Sequence, residues 1–138
     1  MNRSDFQQLS RLRLKEAAAL LRAEHYPGSY YLGGCAIECA LKACIAKQTR
    51  RHDFPEVKPV LELWTHNLEG LVKVAGLWAD LLSEVRSNEI FAVNWAVTKD
   101  WAIDSKYDQT TEGALARDLY SAISSRKNGV LPWMQERW

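Results

Sequence analysis

The stretch that decides the fold spans residues 30–46 and reads YYLGGCAIECALKACIA. Small residues fill its middle, and one Glu/Lys pair supplies the only charges inside it. Glu38 and Lys42 lie one helical turn apart in the favourable Glu-before-Lys order, so the stretch predicts one buried helix. A charged pair is costly to take out of water unless it has hydrogen-bond partners. We therefore expect either a packing surface whose register the pair fixes or the wall of a polar site between helices.

On either side of this stretch the apolar residues have helical spacing, and no convincing strand pattern is present. A first helix is expected to begin after Ser4, a good N-cap. The pair Pro27-Gly28 is expected to end that helix and to start the second one, which runs to about Lys47. Residues 48–59 contain two prolines and are expected to form a loop.

The second half of the chain predicts further helices. After a short helical turn over residues 60–64, one helix is capped by Asn67, and Gly76 breaks the chain behind it. A long helix then has its apolar positions on one face from residue 78 to residue 95, with a weak point at residues 86–88.

The last long helix is expected to be capped by Thr110 or Thr111, with Gly129 at its C-cap. Its buried stripe is expected to hold three residues spaced by four, namely Leu115, Leu119 and Ile123. The fold class predicted from these segments is all-α, an up-and-down four-helix bundle with short extra helices. The length of 138 residues suits a single domain over residues 1–138.

Charge and cysteine usage limit the environment of the protein. The formal net charge of +1 gives no global basic field of the kind that dominates non-specific DNA binding. No apolar run is long enough to cross a bilayer, so no membrane partner is predicted. The three cysteines share one helix in poor geometry for a disulfide, which favours a reduced, cytoplasmic protein.

A metal site and a cofactor are not predicted. Cys35 and Cys39 have the i,i+4 spacing that can place two ligands on one metal. No second Cys/His pair completes a tetrahedral set, and the three histidines form no HExxH pattern. Structural cysteines packed in a helix are therefore the favoured interpretation.

Four segments resemble HEPN-superfamily proteins over roughly residues 9–134. The pattern Tyr-Tyr-x-x-Gly-x-Ala-x-Glu-Cys-x-Leu-Lys-Ala at residues 30–43 is similar to the second helix of that family. Residues 66–71, His-Asn-Leu-Glu-Gly-Leu, resemble its His-Asp-Leu-x-x-Leu turn. Residues 101–107 resemble a Trp-x-x-x-x-Arg-Tyr element with Lys106 in place of Arg, and Gly-Val-Leu-Pro-Trp at 129–133 resembles the end of the last helix.

The resemblance implies a helical bundle, a partner and a cellular role. HEPN proteins are small prokaryotic bundles that commonly form homodimers, often pair with minimal nucleotidyltransferases, and occur in RNA-targeting toxin–antitoxin and defence systems. HEPN ribonucleases typically carry Arg-x(4–6)-His near the last helix, where Arg holds the phosphate and His is the general acid or base. No arginine of this chain is followed by a histidine at that spacing.

The first functional hypothesis is therefore a non-enzymatic interaction module that dimerises and acts with a small nucleotidyltransferase-fold protein or with RNA. The second is a divergent, metal-independent RNA endonuclease with His66 and Arg126 as candidate catalytic residues. Lys42 or Lys106 would help to hold the phosphate. The alternative for His66 is a packing or capping role at a helix start.

A third hypothesis is a nucleotide-binding bundle. Its candidate phosphate-binding residues are Glu38, Lys42, Lys106 and Tyr107. The densest basic cluster, around Arg50 and Arg51, is a candidate RNA contact, with a solvated loop as the alternative.

Overall fold

A computed structural model describes the backbone of residues 1–52 and 67–138 and the side chains of residues 1–48 and 67–138. Every regular element in those two ranges is helical, which confirms the all-α prediction there. The elements are α1 (Arg3–Arg22), α2 (Tyr26–His52), α3 (Leu68–Val74), α4 (Trp78–Ser87), α5 (Glu89–Lys99), a 3-10 helix (Ile103–Tyr107), α6 (Gly113–Ser124) and α7 (Val130–Gln135). The turn predicted at 60–64 and most of the loop predicted at 48–59 lie outside the described residues.

Residues 30–46 form part of one helix, α2, as predicted, and this helix is the centre of the fold. It packs against α1, α3, α6, α7 and the 3-10 helix. Small and apolar residues on most sides of α2 make this possible, because neighbouring helices can approach it from several directions. Its fully buried side chains include Ile37, Ala40, Leu41 and Ala43.

Helix α2 also extends five residues beyond the predicted end at Lys47, as far as His52. No Gly or Pro interrupts residues 47–52. The side chain of Gln48 donates a hydrogen bond to the carbonyl of Ala75, which ties this end of α2 to the turn after α3. The expected loop beginning at residue 48 is therefore corrected.

Helices α1 and α2 form an antiparallel pair. The Ser10 hydroxyl donates to the carbonyl oxygen of Ala36 at 2.7 Å, and the Ser29 hydroxyl donates to that of Ala17 at 2.8 Å. From position 10 to position 17 of α1, the contacted position of α2 decreases from 36 to 29, so the two helices are antiparallel. Both serines are buried, so these two bonds fix the register of the pair inside the core.

The connection between α1 and α2 lies earlier than predicted. Helix α1 ends at Arg22, and Glu24 turns the chain with a φ of 63°. Helix α2 begins at Tyr26, so Pro27 lies in its first turn, where a backbone N–H has no helical partner to lose. Pro27 therefore helps to start α2 and does not end α1.

Two predicted N-caps are wrong and one is confirmed. Asn2 caps α1 in place of Ser4: its side chain accepts from the Asp5 N–H at 3.0 Å, and Asp5 accepts from the Asn2 N–H at 2.8 Å. This reciprocal capping box satisfies two N–H groups where Ser4 would satisfy one. Asn67 caps α3 as predicted, accepting from the Gly70 N–H at 3.0 Å.

The start of α6 is the second corrected cap. Glu112 is the N-cap residue and makes no side-chain capping bond. The hydroxyls of Thr110 and Thr111 donate instead to the Asp108 carboxylate, at 2.8 and 3.2 Å. A capping hydroxyl would accept from one of the first N–H groups of α6, whereas both threonine hydroxyls are directed at the Asp108 carboxylate and close the turn before α6.

The buried face of α6 also differs from the prediction. Leu119 and Ile123 are buried, but Leu115 is 45% exposed. The inward positions are completed by Ala116 and Ala122, which lie on the same side as Leu119. Gly129 begins α7 as its N-cap instead of ending α6, and a Cβ there would lie 2.2 Å from the carbonyl oxygen of Ser125.

The long helix predicted over residues 78–95 is two helices. Its weak point at residues 86–88 is confirmed, because α4 ends at Ser87 and Asn88 caps α5 by accepting from the Phe91 N–H at 3.1 Å. Gly76 adopts a φ of 71° between α3 and α4, so the break predicted there is confirmed. Because the predicted long helix is two helices, the up-and-down four-helix arrangement stays a prediction.

Across residues 1–52 and 67–138, none of the helices combines the length and the apolar character that crossing a bilayer requires.

Candidate functional site

The predicted pair on α2 forms an ion pair at the edge of the core. Lys42 Nζ donates to Glu38 Oε1 at 2.7 Å, and the two side chains are 18% and 10% exposed. The same side of α2 carries three half-buried side chains. We call this group the α2 stripe; its members are Tyr31, Cys35, Glu38, Cys39 and Lys42. At 3.6 residues per turn these five positions lie within about 100° of one another, so they share one face of the helix.

The two cysteines of the α2 stripe are neutral thiols at physiological pH. Burial, and then the negative charge of Glu38, raise the pKa of Cys39 to about 11, although Lys42 opposes the shift. Burial also raises the pKa of Cys35, and the hydrogen bond with Tyr31 opposes that shift. Because the thiolate is the reactive form, neither cysteine is poised as a nucleophile.

The middle of α1 flanks this stripe. Arg13 Nη1 lies 2.7 Å from both carboxylate oxygens of Glu16. The positive charge of Arg13 acts on Cys35 and Cys39 and lowers the pKa of each. The sequence gives no direct sign of this proximity, because Arg13 and the two cysteines lie on different helices, far apart along the chain.

Lys106 and Tyr107 lie together at the end of the 3-10 helix. The Lys106 ammonium lies 4.9 Å from the centroid of the Tyr107 ring, and Tyr107 is 74% exposed. Among the residues with described side chains, no hydrogen bond, ion pair or ring contact joins them to Glu38 or Lys42. The structure therefore places the four predicted phosphate-binding residues as two separate pairs.

Trp101 holds the segment before Lys106 against α2. Its indole ring is buried and lies where a Cβ at Gly34 would be only 1.9 Å away. Tyr31 stacks on the same ring with centroids 6.3 Å apart. The sequence shows a glycine pair at 33–34 and an isolated tryptophan, but nothing in it pairs the two.

Arg126 lies in a second candidate site, in the loop between α6 and α7. It lines a cleft of about 160 Å³ together with Lys127, Trp133 and Arg137. We call this the α7 cleft; its other lining residues are Glu84, Phe91, Gly129, Pro132 and Glu136. The sequence singles out Arg126, but Lys127 and Arg137 join it only in the folded chain.

The cations of the α7 cleft differ in how firmly they are held. The Arg137 guanidinium lies 3.9 Å from the centroid of the Trp133 ring and donates to the Trp133 carbonyl at 2.8 Å. Glu136 lies 3.6 Å from it. Arg126 and Lys127 are exposed and form no ion pair with any residue whose side chain is described.

An amide network fixes the loop that carries two of these cations. Asn88 Nδ2 donates to Asn128 Oδ1 at 2.9 Å, and Asn94 Nδ2 donates to the Asn128 carbonyl at 2.9 Å. The backbone at Asn128 is thereby tied to the start and the middle of α5. These bonds anchor the backbone of the loop that carries Arg126 and Lys127.

The side chains of the remaining predicted site residues lie outside the part of the chain that the structure describes. His66 lies outside the described residues, and so do the side chains of Arg50 and Arg51, whose backbone continues α2. Where side chains are described, no group of three or more His, Cys, Asp or Glu residues is arranged to hold a metal ion.

Comparison with known proteins found no family model, no curated protein and no solved structure that matches this chain.

Proposed function

We propose that this protein is a helical interaction module of the HEPN type, a bundle that forms a homodimer through the α2 stripe. As a dimer it would act with a nucleotidyltransferase-fold protein or with RNA, in a toxin–antitoxin or defence system. One observation carries the proposal: the Glu38–Lys42 ion pair lies at the edge of the core with its side chains 10% and 18% exposed, and the small, half-buried side chains of Cys35 and Cys39 lie beside it.

That face is complementary to itself. In an antiparallel pair of α2 helices with a two-fold axis level with residue 40, residue 38 of one copy lies opposite residue 42 of the other. Glu38 would then meet Lys42 of the second copy, and Lys42 would meet the second Glu38. A two-fold interface uses the same patch twice, which an acid and a base placed symmetrically about its centre satisfy.

The neighbouring side chains suit close packing of two helices. Cys39 and Cys35 are small and neutral, so they let two backbones approach to about 8–10 Å without burying further charge. The ion pair gains a second set of partners as it loses water. This matters because a desolvated pair is favourable only when its hydrogen-bonding capacity is filled.

Cross-linking tests the interface. With the axis level with residue 40, the two Cys39 residues differ by about 3 Å along the helices, and the two Cys35 residues by about 15 Å. At pH about 9, where more of the Cys39 thiol is ionised, a short bis-maleimide should join copies of the Cys35→Ser variant, which keeps Cys39. It should not join copies of the Cys39→Ser variant, while buried Cys44 is common to both. Equal cross-linking in both, or a monomer by light scattering, would reject the interface.

Charge reversal gives an independent test. Glu38→Lys and Lys42→Glu should each convert dimer to monomer, because like charges then meet both within the chain and across the axis. The double variant Glu38→Lys/Lys42→Glu should dimerise again, since it restores opposite charges in each position. Restored folding without restored dimers would show that the pair acts only inside one chain.

The partner is tested on the dimer. A minimal nucleotidyltransferase encoded beside this protein in the source genome should co-purify with the wild type at a defined stoichiometry. A monomeric charge variant that remains folded should bind it more weakly. Equal binding by monomer and dimer would separate partner recognition from dimerisation.

A second candidate function, a divergent RNA endonuclease, is favoured by the α7 cleft. Three cations line this cleft, and two of them, Arg126 and Lys127, form no ion pair with any residue whose side chain is described. The wild type should cleave mixed RNA in the presence of EDTA, and both Arg126→Ala and His66→Ala should abolish cleavage. Persistent cleavage in both variants would reject these two residues as the catalytic pair.

A further inference from the structure

Charge is unevenly distributed between α1 and the rest of the chain. Helix α1 contains five Lys and Arg residues and two acids. The other 13 of the 18 basic residues are outnumbered by the other 15 of the 17 acidic residues. The small net charge of the whole chain therefore conceals a helix that carries a charge of +3.

Both acids of α1 are already engaged. Asp5 accepts from the backbone of Asn2 in the capping box, at 2.8 Å. Glu16 takes both of its contacts from Arg13 at 2.7 Å. Neither acid is therefore a partner for the remaining cations of the helix.

Three of those cations share one exposed face. Arg11, Lys15 and Arg22 are separated by four and seven residues, which places them within about 40° of one another around the helix. They span about 16 Å along its axis. All three side chains are exposed, and we call them the α1 basic face.

The α1 basic face is not neutralised within the described part of the chain. No described carboxylate forms an ion pair with any of its three residues, including Glu24, which follows Arg22 closely along the chain. Arg11 lies over the ring of Trp138, 4.9 Å from its centroid, which orients the guanidinium without cancelling its charge.

We propose that the α1 basic face binds the sugar–phosphate backbone of a nucleic acid without reading its sequence. Cations spaced along a straight helix over about 16 Å match a polyanion whose charges repeat every few ångströms. All three residues of the face are cations, and contacts from such cations to phosphates position a nucleic acid without reading its bases. This inference rests on the proposed function in RNA binding and names the surface involved, which is a different face from the α2 stripe.

A membrane surface fits this face less well. Helices that lie on bilayers insert an apolar face beside their basic one. On the apolar side of α1, Ala17 is buried and Phe6, Leu14 and Leu21 pack, partly buried, against the protein core. Only Leu12 among the large apolar residues of α1 is substantially exposed.

Fluorescence anisotropy with labelled 20-nucleotide single-stranded RNA, duplex RNA and duplex DNA tests the proposal. The test variant is the triple Arg11→Gln/Lys15→Gln/Arg22→Gln. The matched control is Lys73→Gln/Arg86→Gln/Lys99→Gln, which removes the same charge from other exposed positions. Affinity is measured between about 50 and 200 mM salt. The slope of log K against log salt is negative, and each lost phosphate contact reduces its magnitude by about 0.7–0.9.

The α1 triple variant should lose two to three phosphate contacts, so that the magnitude of its salt slope decreases by about 2. The control triple should keep most of the wild-type slope. Arg11→Lys/Arg22→Lys should bind like the wild type, because it keeps the charges. Comparing the three ligands identifies which nucleic acid is preferred.

Three outcomes would overturn it: no binding by the wild type, equal losses in both triples, or binding to anionic vesicles with the same dependence on α1 and none to nucleic acid. Circular dichroism and light scattering on each variant report folding and oligomeric state. A dimeric α1 triple that has lost RNA binding separates this proposal from the α2 interface. A monomeric wild type that still binds RNA through α1 would remove the interface and leave the proposal standing.

Discussion

The indole of Trp101 occupies the space that a side chain at Gly34 would need. A Cβ at position 34 would lie 1.9 Å from the ring, whereas a Cβ at Gly33 would come no closer than 3.5 Å to its nearest neighbour, Leu119. Two adjacent glycines in the same helix therefore have different roles. Gly34 admits a tryptophan to the surface of α2, and Gly33 borders ordinary packing against α6.

Gly34→Ala should destabilise the protein by about 1–3 kcal/mol, because the methyl group must displace a buried ring in a packed core. Gly33→Ala is the matched control and should be neutral or stabilising by up to about 1 kcal/mol, since alanine favours helix. Urea unfolding followed by circular dichroism measures both. Equal stabilities for the two variants would show that Trp101 has room to move.

Asn88→Ala should destabilise the protein by about 1–2 kcal/mol. The change removes the cap of α5 and the hydrogen bond to Asn128. Thermal unfolding measures the loss, with Ser87→Ala as control, because the Ser87 hydroxyl bonds only within its own helix. A double-mutant cycle of Asn88 with Asn128 should give a coupling above about 0.5 kcal/mol. Strict additivity would contradict the bond between them.

Stability should fall as the pH rises from about 9 towards about 11. Burial raises the pKa of Cys39 and of Cys44 to about 11 in the folded protein. The unfolded thiols ionise first, near their ordinary pKa of 9.0, so proton loss favours the unfolded chain over this interval. Urea unfolding at pH 8 and pH 10.5 measures the change. Cys39→Ala and Cys44→Ala should each reduce the pH dependence; an unchanged dependence in both would contradict the assignment.

Alkylation of the same thiols should be slow at neutral pH. Only the thiolate reacts, so the rate at Cys39 should rise about tenfold per pH unit until its pKa is approached. Mass spectrometry after timed treatment with iodoacetamide follows each cysteine separately. Cys44 should react most slowly of the three because it is nearly inaccessible. Rapid modification of Cys39 at pH 7 would mean that its thiol is ionised in the folded protein.

Ser10→Ala and Ser29→Ala should each destabilise the α1–α2 pair by about 1 kcal/mol, because each removes one buried hydrogen bond. The two sites lie about 10 Å apart along α1, so their effects should add within about 0.5 kcal/mol. Chemical unfolding of both single variants and the double variant provides the measurement. Ser4→Ala, at an exposed position outside the capping box, is the control and should change stability by less than about 0.5 kcal/mol.

The sequence determined the helical character of the described chain, the burial of α2, the Asn67 cap and the breaks at Gly76 and residues 86–88. Each of these depends on residues within a few positions of one another. The Glu38–Lys42 ion pair follows from the same local geometry, since four residues make one helical turn.

The tertiary structure decided what local patterns leave open. Asn2 and Ser4 are both possible caps of α1, and only the structure shows that Asn2 makes the capping hydrogen bonds. The exposure of Leu115 depends on which side of α6 faces the core. The pairing of Trp101 with Gly34 and the meeting of Arg126 with Arg137 join segments far apart in the chain. Local preferences carry no information about such contacts, because packing selects them only when the whole set of helices comes together.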